Sequence, residues 1–495
     1  MTLPRLCVSA MSGGGGKTLL SLGVVRILRR MGFVVKPFKK GPDYIDAAWL
    51  SLAAGQPATN LDPWFLPPDR LRSLFAYAMG HNEGQHAQAD CAGHIGIIEG
   101  NRGLYDGLDV DGSCSTAELA RALTCPVLLS LNCAKMTRTA AALVQGVCRF
   151  EPGVEVCGLV LNQVGSPRHE TALRLALEAY TDVPVLGALP RLAINPLPER
   201  HMGLASYGEG LSQKAENILD GLADFVGSHA DVLAVLAAAR AASPLPEGKP
   251  FWRDAESSRP EKGTFGEDKF LRLAGGGKTK NSRKPRVGYV HDAALWFYYR
   301  ENLEALSRAG AEMIRLSLFD GRAWPELDGL YLGGGFPEDM TAQLCASPHM
   351  ARLREMAEQG MPVYAECGGF MLLAREIARD GQSWKMSGVF PVTAHFFAKP
   401  QGLGYVRATV ARQNPWFAEG VSLRGHEFHY SRCEWSGEPP VAVLRLEQGT
   451  GMGTVDGKAC DGLAANNVFA AYTHIFAPAV PSWAHNFMHL ALNWR

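Results

Sequence analysis

The sequence lacks an excess of charge of either sign and lacks long hydrophobic runs. Lys and Arg together number 49, as do Asp and Glu, so the formal charge is zero and no overall field favours nucleic acid or an anionic membrane surface. No uninterrupted apolar stretch reaches the ~18 residues of a membrane-spanning helix, and the N-terminal segment has no signal-peptide pattern. We therefore expect a cytoplasmic protein with neither nucleic acid nor a membrane as partner.

Cysteine pairs and internal repeats are also missing. Eleven cysteines are scattered through the chain without any Cys-x-x-Cys spacing, which argues against a disulfide framework or a zinc site. Most of them, such as Cys7 and Cys125, are expected to be small buried hydrophobic residues. The absence of a repeat of 20–50 residues argues against a solenoid.

Short apolar runs alternate with segments of helical periodicity in both halves of the chain. The runs are residues 5–10, 95–99, 126–131, 156–161, 286–290, 312–318, 329–333 and 361–366. Runs of this kind are buried on both faces, so the alternation predicts parallel sheets covered by helices. Between the halves, residues 243–285 are rich in Ser, Pro, Gly, Lys and Arg, which is typical of a linker or insertion. We predict an α/β protein with two doubly wound domains, residues 1–242 and 286–495.

The first apolar run leads into a glycine-rich loop, Met11-Ser-Gly-Gly-Gly-Gly-Lys17-Thr18, and then into a helical segment. In such a loop backbone N–H groups surround phosphate oxygens, the lysine adds a charge near the β and γ phosphates, and the threonine hydroxyl can ligate Mg²⁺. Met11 stands where the strict pattern has glycine, so a glycine-rich turn without nucleotide is the alternative. A similar run at Gly275–Thr279 follows no strand and is interpreted as a decoy. The predicted ATP-binding residues of the loop are Gly14, Gly15, Gly16, Lys17 and Thr18.

A carboxylate follows the apolar run at residues 95–98. Glu99 stands at the C-terminal end of this run, and in a parallel sheet that edge faces the phosphate site. We therefore predict that Glu99 holds Mg²⁺ together with Thr18, directly or through water. A solvated glutamate at a strand end is the alternative.

Eight segments of the chain carry a resemblance to a known family. They are Lys39–Asp46, Asn60–Trp64, Glu99–Gly107, Asn162–His169, Leu197–Leu204, Tyr331–Glu338, Tyr364–Gly369 and Arg424–Ser431. Together they resemble the cobyrinate a,c-diamide synthases, in which a synthetase domain is fused to a class I-type glutamine amidotransferase domain. The resemblance implies that the N-terminal domain binds ATP and Mg²⁺ and that the C-terminal domain hydrolyses glutamine. It further implies that the a and c acetates of cobyrinate are amidated through an acyl phosphate. It also implies that Asn162 lies in the ATP site.

The Lys39–Asp46 segment supplies groups suited to phosphoryl transfer. A cation neutralises charge on the transferring phosphoryl group, and carboxylates bind Mg²⁺ or orient reacting groups. The predicted residues of this substrate or phosphoryl site are Lys39, Asp43, Tyr44 and Asp46. Asp43 and Asp46 can bind metal or position the macrocycle, and these roles stay open. The alternative is a Pro-Asp turn followed by a helix N-cap.

Cys367 is the one cysteine predicted to be reactive. It follows the apolar run at 361–366 and precedes two glycines and an apolar helical segment. On such a strand-to-helix turn we expect an exposed thiolate that the helix N-terminus stabilises. Backbone N–H groups of Gly334, Gly335 and Gly368 form the predicted oxyanion and glutamine site, because glycine allows a close approach to a tetrahedral intermediate.

The general base should be a histidine, since it must titrate near neutrality. The resemblance implies His474. Related glutaminases often have a glutamate two residues after this histidine, and Phe476 stands there, so the partner that orients the ring stays open. His426 and His429 are the competing candidates.

The acceptor macrocycle has two interpretations. Corrinoid-directed relatives usually have Val where Lys40 stands and Val-Met in place of Asn101-Arg102. The added charge and polarity keep sirohydrochlorin or sirohaem open as an alternative acceptor for the same reaction. A small-molecule macrocycle is the expected partner in either case, and a homodimer stays open.

A second class of function is a regulatory or partition ATPase that carries a degenerate glutaminase module. Partition-type ATPases have a second lysine five positions before the main one, and Ser12 stands there. The presence of both Lys17 and Cys367 also argues against this class.

Overall fold

A computed structural model describes residues 2–80, 93–194, 196–197, 213–246, 248–252, 283–435, 438 and 441–494. The chain divides into two compact units, the first containing the described residues up to 252 and the second those from 283 onward. Residues 253–282 of the predicted linker lie outside the described residues, and so does the run Gly275–Thr279. Residues 198–204 of the Leu197–Leu204 segment lie outside them as well.

The first unit is built on a parallel sheet. The strands in its described part are β1 (Arg5–Ala10), β2 (Val34–Lys40), β3 (Thr59–Leu61), β4 (His94–Glu99), β5 (Val127–Asn132), β6 (Val156–Val164) and β7 (Val185–Pro190). Their order is β3-β2-β4-β1-β5-β6-β7, and all pairs are parallel. All six residues of the central strand β1 are buried, as expected when helices cover both faces. The carboxyl ends of β1, β2 and β4 therefore lie at one edge of the sheet.

The helices of the first unit connect these strands and cover the sheet. Within its described residues they are α1 (Lys17–Arg30), α2 (Tyr44–Ala54), α3 (Pro68–Ala78), α4 (Thr116–Ala122), α5 (Thr139–Phe150), α6 (Pro167–Tyr180), α7 (Gln213–Gly227) and α8 (Val232–Arg240). Helix α1 begins directly after the glycine-rich loop, with Gly16 in the left-handed conformation at its N-cap. The first turn of α1 thus points its free N–H groups at the loop.

The second unit contains a mixed sheet and two smaller sheets. The strands in its described part are β8 (Arg286–Val290), β9 (Leu295–Phe297), β10 (Glu312–Leu316), β11 (Gly329–Leu332), β12 (Gly334–Gly335), β13 (Val363–Glu366), β14 (Ala374–Arg379), β15 (Gln382–Lys385), β16 (Phe390–Phe396), β17 (Gly402–Val410), β18 (Ser422–His429), β19 (Ser431–Glu434), β20 (Ala442–Gln448), β21 (Gly453–Val455), β22 (Lys458–Ala465), β23 (Val468–Ala471) and β24 (His474–Ile475). The main sheet has the order β10-β8-β11-β13-β23-β22-β20-β17-β18-β24, with β21 beside β22. Strands from β10 to β23 in this order pair in parallel, and the remainder pair antiparallel.

Short helices complete the second unit. In its described residues they are α9 (Arg300–Arg308), α10 (Thr341–Ala346), α11 (His349–Glu358), α12 (Gly368–Leu373) and α13 (Ser482–Trp494), with 3-10 turns at Pro337–Asp339 and Ala477–Ala479. Strand β13 is buried along its whole length, and so is α12. The turn between them therefore lies deep in the unit.

The structure confirms the predicted α/β class and the apolar runs that were read as strands. The antiparallel strands from β17 to β22 were not predicted. Exposed or half-buried positions interrupt β17 and β20, and the four buried residues of β22 include Asp461, so none of the three gives a long apolar run. None of the helices in the described ranges combines the length and hydrophobicity that a membrane-crossing helix requires.

Candidate active sites

The glycine-rich loop of the first unit is closed by contacts from two neighbouring strands. Ser130 at the end of β5 donates from its hydroxyl to the Gly15 carbonyl at 2.7 Å, and the Asn162 side-chain amide on β6 donates to the same carbonyl at 3.1 Å. Gly14 and Gly16 have φ values of 71° and 90°, which glycine adopts without strain. A Cβ on Gly16 would lie 2.1 Å from the Asn162 amide nitrogen. The predicted residues of the loop are thus brought together, and Asn162 supports the loop through Gly15.

Lys17 lies inside the loop. Its ammonium donates to the Ser12 carbonyl at 3.1 Å and to the Arg102 carbonyl at 2.5 Å. Burial lowers the pKa of Lys17, and the neighbouring Lys39 charge adds to this effect. A second cation near the first is typical of a site that receives several negative charges.

A buried charge cluster lies beside the loop, at the carboxyl ends of β2 and β4. The Lys39 ammonium donates to Asp46 at 2.5 Å and to Glu99 at 2.9 Å, and the Thr18 hydroxyl donates to the same Glu99 oxygen at 2.7 Å. Lys39 and Glu99 face each other in register on adjacent parallel strands. The structure therefore brings together four residues that are separated by up to 81 positions in sequence.

The charges of this cluster hold one another in place. Burial raises the pKa of Glu99 to about 7, although the Lys39 ammonium partly offsets the rise. Burial alone would lower the pKa of Lys39, but Glu99 and Asp46 outweigh it and raise that pKa above its usual value. Removing the Lys39 ammonium would leave Asp46 and Glu99 without the cation that pairs with both.

Asp43 and Asp46 make different contacts. Asp43 is the N-cap of α2, and its carboxylate accepts the backbone N–H of Asp46 at 2.9 Å. Asp46 instead pairs with Lys39. Burial raises the pKa of Asp43 to about 6, and the nearby Asp46 carboxylate adds to the rise. Asp43 therefore caps the helix and also lies beside the charge cluster. Tyr44 is the first residue of α2 and is buried.

The donor set near Thr18 and Glu99 fits Mg²⁺. One Glu99 oxygen, Oε2, is buried and has no hydrogen-bond partner among the described residues, and the Thr18 hydroxyl donates to the other oxygen. Mg²⁺ prefers oxygen ligands and usually takes only one or two carboxylates, completing its shell with phosphates and water. The part of the chain that the structure describes contains no group of three His, Cys, Asp or Glu side chains arranged to hold a metal ion.

The residues that depart from the corrinoid-directed pattern lie at the same edge. Lys40 is the buried last residue of β2, and a Cβ on Gly41 would lie 3.2 Å from the Asn101 amide. Arg102 has an exposed side chain and a φ of 50°, and it meets Lys17 through its carbonyl. The contact of Arg102 with this site is therefore made by its backbone.

In the second unit, Cys367 occupies the turn between β13 and α12. Its backbone has φ 48° and ψ −101°, a conformation that non-glycine residues avoid and that is found where a nucleophile is held on a sharp turn. The backbone N–H of Cys367 donates to the Ala471 carbonyl at 2.7 Å, which fixes the turn to β23.

The prediction that Cys367 is an exposed thiolate was wrong. The residue is 2% exposed, because the chain at β18 covers the turn and the Phe428 carbonyl accepts from the thiol at 3.5 Å. Burial raises the pKa of Cys367 well above its usual value, and the negative charge of Glu338 adds to the rise. A raised pKa means that the thiol needs a base to become a nucleophile.

The predicted oxyanion glycines lie between the cysteine turn and His474. Gly334 and Gly335 form the short strand β12, which pairs with β9. A Cβ on Gly368 would lie 2.9 Å from the Gly335 nitrogen, and a Cβ on Gly334 would lie 2.4 Å from the Cε1 atom of His474. The three glycines thus join the nucleophile to the predicted base.

His474 begins β24 and is completely buried. Its Nδ1 atom lies 3.6 Å from an oxygen of Glu366, the residue immediately before the nucleophile. Glu366 was missed by the sequence reasoning, although it is the acidic residue directly adjacent to Cys367. Phe476, which stands where related glutaminases have glutamate, packs its ring edge-on against Tyr299.

The two competing histidines have other surroundings. The ring of His426 stacks on that of His474 with centroids 4.7 Å apart, and burial lowers the pKa of His426 well below its usual value. His429 stacks on Tyr472 at 3.9 Å and contacts the Glu427 carboxylate at 3.3 Å. His426 therefore lies directly against His474, whereas the contacts of His429 are with Tyr472 and Glu427.

Comparison with known proteins agrees with this two-part arrangement. A family model described as the CobQ/CobB/MinD/ParA nucleotide binding domain matches residues 6–204. A second model, the CobB/CobQ-like glutamine amidotransferase domain, matches residues 286–480.

Full-length relatives decide the family. A protein of Magnetococcus marinus is 39% identical over 497 residues, covering 100% of this chain and 97% of that protein. Relatives from Dehalococcoides mccartyi and Listeria innocua are 37% and 35% identical and cover 99% and 95% of this chain, and 99% and 96% of their own lengths. All three carry the name cobyrinate a,c-diamide synthase. The chain belongs to the cobyrinate a,c-diamide synthase family. Membership confirms the resemblance drawn from the eight sequence segments.

Proposed function

We propose that this chain converts the a and c acetate carboxylates of cobyrinate into carboxamides, with ATP as the activating reagent and glutamine as the nitrogen source. The observation that carries the proposal is the match to three relatives that are named for this substrate. Each match extends over nearly the full length of this chain and of the relative. The same names favour cobyrinate over sirohydrochlorin. The proposal assigns the synthetase to residues 1–242, the glutaminase to 286–495, and the linker to 243–285.

The first unit activates the carboxylate. A substrate carboxylate oxygen attacks the γ-phosphorus of ATP, the bond from that phosphorus to the ADP oxygen breaks, and ADP leaves with the electron pair. Ammonia then attacks the acyl carbon of the acyl phosphate and phosphate leaves, which gives the amide and releases a proton. Activation is necessary because a free carboxylate has no adequate leaving group.

The charge cluster and the loop supply the electrostatics of this step. Backbone N–H groups of Gly14, Gly15 and Gly16 and the Lys17 ammonium hold the phosphates. The Lys39 ammonium, kept charged by its two carboxylate partners, faces the transferring phosphoryl group. Bound Mg²⁺ supplies further neutralisation of phosphate charge, held by its candidate ligands Thr18 and Glu99.

The second unit releases ammonia. His474 takes the proton of the Cys367 thiol, the sulfur attacks the amide carbon of glutamine, and backbone N–H groups of Gly335 and Gly368 bind the oxyanion. The C–N bond then breaks, and His474 returns the proton to the departing ammonia. Water, deprotonated by His474, hydrolyses the thioester to glutamate, and the sulfur regains its proton.

The test uses the full chain with ATP, Mg²⁺ and cobyrinate, and with either glutamine or ammonium as nitrogen source. Cys367→Ala is expected to abolish amidation with glutamine and to retain it with ammonium. Cys345→Ala, which changes an exposed cysteine, is the matched control and should retain both activities.

Mass spectrometry of the macrocycle identifies the product. Two conversions of acid to amide on cobyrinate, and none on sirohydrochlorin, are expected. Amidation of sirohydrochlorin alone would contradict the assigned acceptor. If Cys367→Ala lost amidation with glutamine and with ammonium equally, the idea of two separate sites would be contradicted.

A further inference from the structure

A histidine that acts as a general base needs a partner for its second ring nitrogen. The partner fixes which nitrogen carries the proton and stabilises the imidazolium that forms during the reaction. The sequence offers no carboxylate at the position where related glutaminases have one, since Phe476 stands there. Phe476 is buried and packs against Tyr299, and its side chain has no acceptor to offer the ring.

We propose that Glu366 is the positioning residue for His474. Glu366 is the last residue of β13, and its Oε2 atom lies 3.6 Å from Nδ1 of His474. The two side chains are 1% and 0% exposed, so water does not screen their interaction. The separation is slightly longer than a hydrogen bond, and catalytic hydrogen bonds often tighten only when substrate binds. The inference deepens the glutaminase half of the proposed function and rests on it.

Glu366 is itself held firmly. Its Oε1 atom accepts the backbone N–H of Ile475 at 3.0 Å, and its Oε2 atom accepts the Tyr331 hydroxyl at 2.9 Å. The Asn302 side chain donates to the same hydroxyl at 3.1 Å and to the Ile475 carbonyl at 2.9 Å, and it accepts the N–H of Ala477 at 2.7 Å. This network ties the carboxylate to the backbone that carries His474.

The Glu366 carboxylate has enough acceptor positions to take a further hydrogen bond from the histidine. An ionised carboxylate has about four acceptor positions, and the contacts with Tyr331 and Ile475 use two of them. A proton on Nδ1 of His474 can therefore point at Glu366, which leaves the lone pair of Nε2 to take the proton of Cys367. The negative charge of Glu366 then stabilises the imidazolium that this transfer creates.

The arrangement places the orienting carboxylate and the nucleophile on consecutive residues. The strand ends at Glu366 and the chain turns sharply at Cys367. Because the turn changes the direction of the backbone, the two side chains of adjacent residues can serve the same imidazole from different directions. The same turn therefore sets the positions of both groups relative to His474.

The experiment compares Glu366→Gln with the wild-type chain in two assays. Glutamate release from glutamine is measured without the macrocycle, and amidation of cobyrinate is measured with ammonium in place of glutamine. In Glu366→Gln, kcat for glutamate release should fall by ~10²–10⁴-fold, the range expected when a histidine loses its orienting carboxylate. KM for glutamine should stay within about threefold, because ground-state binding is retained. Amidation with ammonium should match the wild type.

Asp328→Asn is the matched control for a merely structural carboxylate. Asp328 is 2% exposed and accepts the Arg286 backbone N–H at 2.6 Å, at the opposite end of the same sheet. This variant should lose stability but keep its kcat for glutamate release. A kcat of Glu366→Gln within about threefold of the wild type would overturn the proposal.

If Glu366→Gln also loses amidation with ammonium, that variant is misfolded and cannot test the proposal. Tyr331→Phe is then the test of whether Glu366 positions His474. It removes the hydroxyl that holds Glu366 and keeps the carboxylate. A fall of at least about fivefold in kcat for glutamate release supports the proposal, and an unchanged kcat overturns it. If the wild-type chain amidates no macrocycle with ammonium, the proposed function fails, whereas the assay of glutamate release still tests Glu366.

Discussion

Substituting alanine for Gly334 tests whether the glycine loop sets the position of the base. The backbone of Gly334 is not in the left-handed region, so alanine introduces no strain in φ and acts only through the space its Cβ occupies. That Cβ would lie 2.4 Å from Cε1 of His474 and 3.1 Å from atoms of Phe297. Non-bonded carbon atoms prefer separations of about 3.5–4.0 Å, so the imidazole must retreat by roughly 1 Å.

The surroundings restrict that retreat. The ring of His426 is stacked 4.7 Å from that of His474, and His474 is completely buried. A misplacement of about 1 Å in a reacting group can cost ~10²-fold in rate. Overpacking of this kind costs about 1–3 kcal/mol of unfolding free energy. Gly334→Ala should therefore fold, with reduced stability, and lose ~10²-fold in kcat for glutamate release.

The assay measures glutamate release and, separately, amidation of cobyrinate with ammonium, which should change by less than about twofold. Gly146→Ala provides the control, since Gly146 is an exposed helical glycine with nothing within 4 Å of its added Cβ. It should gain about 0.5–1 kcal/mol of stability. A Gly334→Ala variant with the glutamine turnover of the wild type would refute the idea that this loop fixes His474.

Two further predictions concern the nucleotide loop and the thiol. Gly16→Ala should abolish the rise in melting temperature that Mg·ATP produces, because its φ is 90° and its Cβ would lie 2.1 Å from Asn162. Gly13→Ala, with nothing within 4 Å of its Cβ, should keep that rise. An equal rise in melting temperature in the two variants would contradict the assigned loop geometry. Because burial raises the pKa of Cys367, its thiolate fraction at pH 8 is reduced, and iodoacetamide should modify it at least ~10-fold more slowly than the exposed Cys345. Peptide mass spectrometry between pH 8 and 10 should show the rate at Cys367 still rising with pH, and equal rates at the two cysteines would refute the buried neutral thiol.

The chemistry of contiguous segments was readable without a structure. The loop before α1 and the turn at Cys367 each join a strand to a helix within a few residues, so their composition and order determine their local geometry. The apolar runs predicted β1, β4, β5 and β6 of the first sheet and β8, β10, β11 and β13 of the second, whereas β2, β3, β7 and β23 were not among them. The Lys39–Asp46 segment was selected from its composition in the same way, and its place in the phosphoryl site stays a prediction.

What the sequence left undecided depended on contacts between distant segments. The capping of α2 by Asp43 and the pairing of Asp46 with Lys39 distinguish two carboxylates that are equivalent by composition. The depth of Cys367 arises from the chain at β18, which reaches it from 61 positions away. The approach of Glu366 to His474 likewise needs β13 and β24 to be brought together by the folded sheet. Local sequence thus determined which reactive groups are present and on which turns they lie, whereas tertiary structure decided their partners, because burial and charge pairing act through space.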